Sequence, residues 1–383
     1  MAQSLKDILN ELGGDEQNTV SNNVANTSAK NMDDFLRNLI GETKNNIIAV
    51  GVGGAGCNAI NRLATSDFSG PLTVAANTDA RHLLAVKSDE KILLGEKLTR
   101  GLGAGNDPKK GKAAAEESVF TISSTFKDAD MVFVTAGMGG GTGTGAAAVI
   151  AQQAKDQGAL TVGVCTLPFE MEGETRATHA MEGLKELFDA CDTVIVIPNE
   201  KLMDLVPHLP ISLAFKVADE ILVRAVKGIV NLVITPAYVN VDFADIKQIL
   251  RQGGTSVIGM GEGEGENRIE DALRESLSNS LLDVQIMDCK AALINISGGD
   301  TLQLKEVRRC VQAISQEMGE KSEIIWGTQV DPKLGNKIQV TTILSGVSSP
   351  YDINLESEED EISEIVEKIN EDDGAPKITS IWE

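Results

Sequence analysis

The chain is poor in aromatic residues, basic residues, histidine and cysteine. Phe, Tyr and Trp make up only 3% of its 383 residues, too few for the stacking platforms that bind single-stranded nucleic acid. Lys and Arg number 34 against 57 Asp and Glu, a formal net charge of −23. Such a chain lacks the cationic footprint that offsets a phosphate backbone, which argues against general nucleic-acid binding. The five cysteines, Cys57, Cys165, Cys191, Cys289 and Cys310, are odd in number, far apart and without a CxxC pair. A disulfide framework or a zinc site is therefore not expected, and a reducing compartment fits. His82, His179 and His208 have no metal-binding spacing and are expected to be surface or hydrogen-bonded residues. No apolar run approaches the ~18 residues of a membrane span. The first residues, MAQSLKDILNELGGDEQ, show neither the basic nor the apolar region of a secretory signal. Together these absences predict a soluble intracellular protein.

The acidity gathers at the ends. Residues 351–383 hold twelve acids and two lysines, and residues 1–45 hold seven acids and four bases. Segment 1–45 is polar apart from two short apolar stripes, Leu5/Ile8/Leu9/Leu12 and Phe35/Leu36/Leu39/Ile40. It is expected to be a flexible arm, and 347–383 an acidic tail. Between them the apolar runs NIIAVGV, LTVAANT, KILLG, MVFVTAG, LTVGVCTL and TVIVIP alternate with helical stretches. That pattern predicts an α/β fold, a Rossmann-type doubly wound domain over 46–210 with strands buried on both faces. Residues 211–233 repeat apolar positions at helical spacing (Leu213, Val217, Ile221, Ala225, Gly228) and predict a long connecting helix. Residues 234–346 mix helical and strand patterns without strict alternation, which predicts a smaller α+β domain. Within it GEGEGEN (261–267) reads as a flexible acidic turn.

Glycine, with 37 residues, is abundant and clustered. Gly51-Val-Gly53-Gly54-Ala55-Gly56-Cys57-Asn58 follows a predicted strand and opens a predicted helix, the context in which GxGxxG holds a phosphate on main-chain N–H groups and a helix N-terminus. Alone it also suits an NAD-dependent Rossmann enzyme, or merely a tight strand–helix turn. The second cluster is more specific. Six glycines and two threonines occupy the nine residues Gly137 to Gly145, again between strand and helix. Such a loop can wrap phosphate oxygens with main-chain donors while the threonine hydroxyls add more. No GxxxxGK[ST] occurs. Two phosphate loops on one sheet favour a nucleotide with several phosphates, and leave an NAD enzyme without a reason for the second.

The GMGGGTGTG loop resembles the signature of the tubulin/FtsZ superfamily of GTPases. With VGVGGAGCNAINRL, ANTDARHL, GLGAGNDPKKGKAAAEE, DADMVFVTAGMGGGTGTGAA, IPNEKL and NVDFADIK, the text from 46 to 346 resembles the prokaryotic FtsZ family of cell-division proteins more than the eukaryotic tubulins. The resemblance implies a GTPase domain joined by a long central helix to the smaller domain, with GTP or GDP bound and Mg2+ held through the phosphates. It implies that Gly54, Ala55, Gly56, Cys57 and Asn58 contact the phosphates and the guanine side. Asn77 and Asp79, Ala104 and Gly105, and Gly141, Thr142 and Gly143 would face the phosphates. Glu172 and Arg176 would hold the ribose, and Asn199, Phe215 and Asp219 the base. A carboxylate suits guanine because it accepts from N1–H and the exocyclic amine together.

By local pattern Asp242 is an N-cap and Asp245 a first-turn acid of a helix. The resemblance instead makes Asn240, Asp242 and Asp245 part of a catalytic loop that enters the nucleotide site of the next subunit, so that hydrolysis awaits polymerisation. The preceding TPAYV departs from the family's usual Pro-Gly-Leu/Ile, and Ala55 stands where glycine is usual. The implied role is a self-polymerising division GTPase, cytoplasmic, in head-to-tail filaments at a division ring beneath the membrane. It would be held there by adaptor proteins that bind the tail and would not itself span the membrane. The closing APKITSIWE departs from the family's common adaptor-binding peptide, although Ile378, Ile381 and Trp382 after an acidic spacer suit partner docking. A filament protein that binds nucleotide without hydrolysing it is the rival reading.

Overall fold

A computed structural model describes residues 46–66, 68, 70–200, 211–234, 242–251, 255–278, 289–318 and 322–347. The expectations for the arm and the tail, for Asn240 and His208, and for the side chain of Phe215 lie outside the described residues.

Each apolar run of the first half becomes a strand. β1 (Ile47–Val52), β2 (Leu72–Asn77), β3 (Glu90–Leu93), β4 (Met131–Gly137), β5 (Leu160–Leu167) and β6 (Thr193–Pro198) form a parallel sheet in the order 3-2-1-4-5-6. Continuous Val, Ile and Ala runs suit strands covered on both faces, and β1, β5 and β6 are buried along their whole length. Helices α1 (Gly53–Thr65), α2 (Ala80–Ala85), α3 (Glu96–Thr99), α4 (Pro108–Glu117), α5 (Val119–Thr125), α6 (Thr142–Asp156) and α7 (Glu174–Ala190) make the crossovers. The stretch from Pro108 reads as one helix in sequence. In the structure it breaks at Ser118, whose hydroxyl turns back to Ala114 O and accepts from Gly95 N. Strand order reverses between β1 and β4, so a crevice opens beyond their carboxyl ends.

The predicted connecting helix is α8 (Ile211–Ile234). One stripe, including Leu222, Ala225, Val226 and Ile229, packs into the core cluster that also holds Ile60 of α1 and Phe133 of β4. At Gly228 an added Cβ would stand 3.1 Å from Thr341 Cγ2, so the absent side chain lets the helix also approach the second half. That half contains α9 (Phe243–Leu250), β7 (Thr255–Glu264), α10 (Arg268–Ser278), β8 (Ala291–Gly298), α11 (Leu304–Glu317), β9 (Glu323–Val330) and β10 (Lys337–Ser345). Its strands extend the same sheet in the order 6-7-10-8-9, with β7 joined to β6 by two parallel pairs and β10 antiparallel to β7 and β8.

The acidic segment expected to be a flexible turn is ordered strand as far as Glu264. Gly259, Gly261 and Gly263 alternate along β7. A Cβ on them would fall 1.9, 1.9 and 1.8 Å from Ser276 O, Ala272 O and Arg268 O of α10. Glycine every second residue of the strand thus meets a carbonyl every fourth residue of the helix, and backbone lies directly on backbone. The N-terminus of α10 is pinned at Arg268. Its guanidinium donates to both carboxylate oxygens of Glu306, to Thr301 Oγ1 and O, and to Asn336 O. Those five bonds use every donor arginine has.

Candidate nucleotide site

Apart from Phe215 and Asp219, which lie on α8, the predicted nucleotide residues form a set at or beyond the carboxyl ends of parallel strands. The loop into α1 follows β1, Asn77 ends β2, the Gly137–Gly145 motif follows β4, Glu172 follows β5 and Asn199 follows β6. The two glycine motifs touch. Gly53 has φ +73°, and a Cβ there would be 2.7 Å from Gly143 N. A Cβ on Gly143 would be 2.4 Å from Gly137 O, and one on Gly56 2.2 Å from Thr135 O. The third loop is drawn in likewise, since a Cβ on Gly141 would be 2.9 Å from Ala104 Cβ and 2.8 Å from Asp107 N. Ala55 lies beside Gly137, where an added Cβ would be 2.7 Å from its own.

Other glycines of the same loops have open space before them. A Cβ on Gly54, Gly103, Gly105 or Gly140 would meet nothing within 4 Å. The motif 137–145 is shorter as a loop than its sequence suggests, because Gly137 closes β4 and Thr142 already begins α6. The cradle is therefore mainly main chain leading into the N-termini of α1 and α6, where N–H groups lack intrahelical acceptors and favour anions.

Side chains brace this cradle. Thr142 Oγ1 is 2.6 Å from Thr78 Oγ1, and Thr78 O accepts from Gly103 N at 3.1 Å. Thr78 was not singled out in the sequence, though its place in ANTD is the signal that marks it. Thr144 corrects an expectation: it is buried against Gly183 with its hydroxyl unpartnered, so it adds no donor to the loop. Cys57 is fully buried and its thiol donates to Gly51 O and Ala76 O, supporting the loop from beneath. Burial pushes that thiol up to about 12. Asp79 caps α2, its Oδ1 accepting from Arg81 N and His82 N. His82 joins Asn77 to Asn58, bonded on both ring nitrogens as expected. His179 corrects that same expectation, since its Nδ1 is buried without a partner.

Further along, Glu172 Oε1 accepts from Phe169 N at 3.0 Å while Oε2 pairs with Arg176 Nη1 one helical turn on. Asn199 is 6% exposed and its Oδ1 has no hydrogen-bond partner. An orphaned amide oxygen at a strand's carboxyl end is costly unless a ligand donor meets it. Asp219, on α8, keeps 15% of its side chain exposed, with Arg62 Nε of α1 at 3.9 Å from its Oδ2. Burial outweighs that attraction and raises the carboxyl to about 6. Arg62, missed in the sequence, also reaches Glu220 at 3.3 Å. Two large apolar side chains stand in water in these loops, Leu102 at 78% and Met171 at 70% exposure.

Asp242 and Asp245 are not brought to this set. They open α9, which packs on β8 and β9, several strands along the sheet from β1 and β4. Asp242 occupies the N-cap position, yet its side chain makes no cap bond; its carbonyl accepts from Asp245 N and Ile246 N. Both acids are exposed, and among the described residues no bond engages either carboxylate.

The donor set fits a guanine nucleotide. It has main-chain N–H groups with open space for phosphates, a carboxylate able to face N1–H and the 2-amino group, and an unpartnered amide oxygen. Among the described residues no three His, Cys, Asp or Glu side chains converge to hold a metal.

Comparison with known proteins agrees with this chemistry. Residues 46–207 match the tubulin/FtsZ family GTPase domain, and residues 254–348 the FtsZ family C-terminal domain. The chain is 48% identical over 364 residues to the cell division protein FtsZ 1 of Pyrococcus abyssi, covering 95% of this chain and 96% of that one. It is 49% identical over 317 residues to FtsZ 1 of Methanocaldococcus jannaschii, covering 83% and 87%. A solved empty FtsZ dimer from M. jannaschii superposes with a TM-score of 0.79 at 48% identity, over 82% of this chain and 92% of that one.

Proposed function

The chain belongs to the tubulin/FtsZ family of GTPases, and from that premise we propose that it is a cell-division GTPase whose hydrolytic site is completed by a second copy of itself. The carrying observation is the split between the open main-chain cradle at β1 and β4 and two exposed carboxylates on α9, without a partner among the described residues, on a helix packed on β8 and β9. One chain holds the nucleotide and another presents Asp242 and Asp245 to it. Asn240 belongs to the same catalytic loop by its sequence.

The division of labour is the one the family resemblance implies. Gly54, Ala55, Gly56, Cys57 and Asn58 shape the first loop, and Gly141, Thr142 and Gly143 the second. With Ala104 and Gly105 they leave main-chain donors facing the β- and γ-phosphates. Asn77 and Asp79 fix the third wall. Glu172 and Arg176 receive the ribose, and Asn199, Phe215 and Asp219 the base. Mg2+ carried in with the nucleotide would supply neutralisation of the phosphate charge. The partner's carboxylates orient the attacking water and accept its proton, the positioning and electrostatic work that phosphoryl transfer asks of a protein. Leu102 and Met171, exposed in loops beside the phosphate and ribose residues, suit burial against that partner. Head-to-tail repetition does not close, so the product is a filament. No described helix is long and apolar enough to cross a membrane. Attachment at a division site beneath the membrane is assigned to adaptor proteins that recognise the tail.

The test is phosphate release and pelleting with GTP and magnesium, against GDP and ATP controls. Asp245→Ala is expected to bind GTP as the parent does while release falls by about a hundredfold or more. Parent-like turnover in that variant would overturn the shared site.

A further inference from the structure

We infer that His82 is a positioning residue of the nucleotide site, a neutral bridge that sets the side chains of Asn58 and Asn77. The inference rests on the reading that those two asparagines face the nucleotide.

The hydrogen bonds fix every proton in the bridge. Asn77 Oδ1 accepts from Asp79 N at 3.2 Å, so the amide NH2 is the group that faces His82 Nδ1 at 3.0 Å. An NH2 group can only donate, so Nδ1 must accept and carries no proton. The ring proton is then on Nε2, which donates to Asn58 Oδ1 at 3.1 Å. The ring is held in place by its own backbone, because His82 N donates to Asp79 Oδ1 at 3.1 Å in the first turn of α2. One imidazole thus spans the end of β2 and the second turn of α1, the strand and the helix that carry two of the phosphate-facing loops.

The bridge leaves little freedom to the amide of Asn77. Turning that amide over would set its NH2 against Asp79 N–H. Asn77 is 4% exposed, so water cannot take up the unmatched group. On the ring's own helix, Asp79 Oδ1 already accepts from two main-chain N–H groups, and Arg81 is exposed. Facing it, α1 offers neutral Asn58 and the buried thiol of Cys57, and β2 offers neutral Asn77. From β3, Lys91 Nζ donates to Leu84 O.

The experiment measures GTP and GDP affinity of the full chain, His82→Leu and His82→Gln, with thermal melting of each nucleotide-free protein. Leucine removes both bonds, and affinity is expected to fall about tenfold. Glutamine offers one acceptor and one donor and should restore most of the lost affinity. Affinity of His82→Leu equal to the parent's overturns the inference, as does a His82→Gln variant that binds no better than His82→Leu. The glutamine comparison stands even if the leucine variant melts early. Failure of the parent itself to bind either nucleotide overturns the site reading, and the inference with it.

Discussion

A methyl group placed on Gly261 would stand 1.9 Å from a helix carbonyl, while one placed on Gly54 or Gly140 would meet nothing within 4 Å. The two regions differ in the same sense throughout. Where α10 lies on β7, space and hydrogen-bonding capacity are used up, and Arg268 has all five donors engaged. Around the ends of β1, β4 and β6, space is left, Asn199 Oδ1 has no partner, and Asp219 is buried at a raised pKa. One layer is finished by folding; the other is finished by a ligand. The contrast teaches that glycine content does not by itself mark a site, since Gly261 and Gly54 lie in equally glycine-rich stretches with opposite surroundings.

Breaking the finished layer should have the largest effect. Arg268→Met leaves Glu306, whose carboxyl the guanidinium's hydrogen bonds hold below the usual range, with little solvent and only the weaker pull of Lys305. The expected loss is about 3–5 kcal/mol, the penalty for stranding one member of a buried pair, read as a large fall in the urea midpoint. Gly261→Ala should follow at about 1–3 kcal/mol, because the helix must lift off the strand. A parent-like midpoint for either would mean that the layer tolerates separation.

The open glycines should behave in the opposite way. Gly54→Ala and Gly140→Ala are expected to leave stability within about 0.5 kcal/mol of the parent. Their methyl groups would occupy space that phosphate oxygens approach, so nucleotide affinity should fall at least about tenfold. Unchanged affinity would mean that these loops do not cradle phosphate. Measured together, the two glycine sets should separate stability from binding in both directions.

The same contrast explains what the sequence could show. Strands of unbroken Val, Ile and Ala, and helices between them, follow from burial on both faces, so the first six strands were legible nearly to the residue. The proposed site could be placed in the sequence because phosphate binding needs glycine at fixed places beside strands. GEGEGEN misled because its glycines and acids resemble a turn. The reason for them, a helix backbone lying on alternate residues of β7, exists only once α10 has packed. A period of two, running on from SVIGM, was the available clue. His82 and Arg62 act through partners distant in the chain, Asn58 and Asp219, so no local pattern could have assigned them. Thr144 sits inside the strongest motif but faces α7, and only three-dimensional packing separates it from Thr142.

Asp219 gives the smallest expected change and the sharpest test of the contrast. In the nucleotide-free protein burial raises its carboxyl from 3.8 to about 6. A raised folded-state value means that its favourable contribution is full below about 3.8 and lost as pH rises through about 6. At neutral pH the chain therefore holds an ionised carboxylate where burial disfavours it, offset only in part by Arg62 at 3.9 Å. Asp219→Asn should match the parent's stability near pH 4 and exceed it by about 1 kcal/mol above pH 6, the usual size of strain released at a functional site. The same substitution should weaken GTP binding above about pH 6, where the parent's carboxyl is ionised, since an amide cannot accept from N1–H and the 2-amino group as a carboxylate does. In the parent, GTP affinity should fall as pH drops through about 6, where that carboxylate takes up its proton. A variant that is less stable at neutral pH, or that binds GTP as well as the parent, would remove Asp219 from the unfinished region and leave Asn199 alone to read the base.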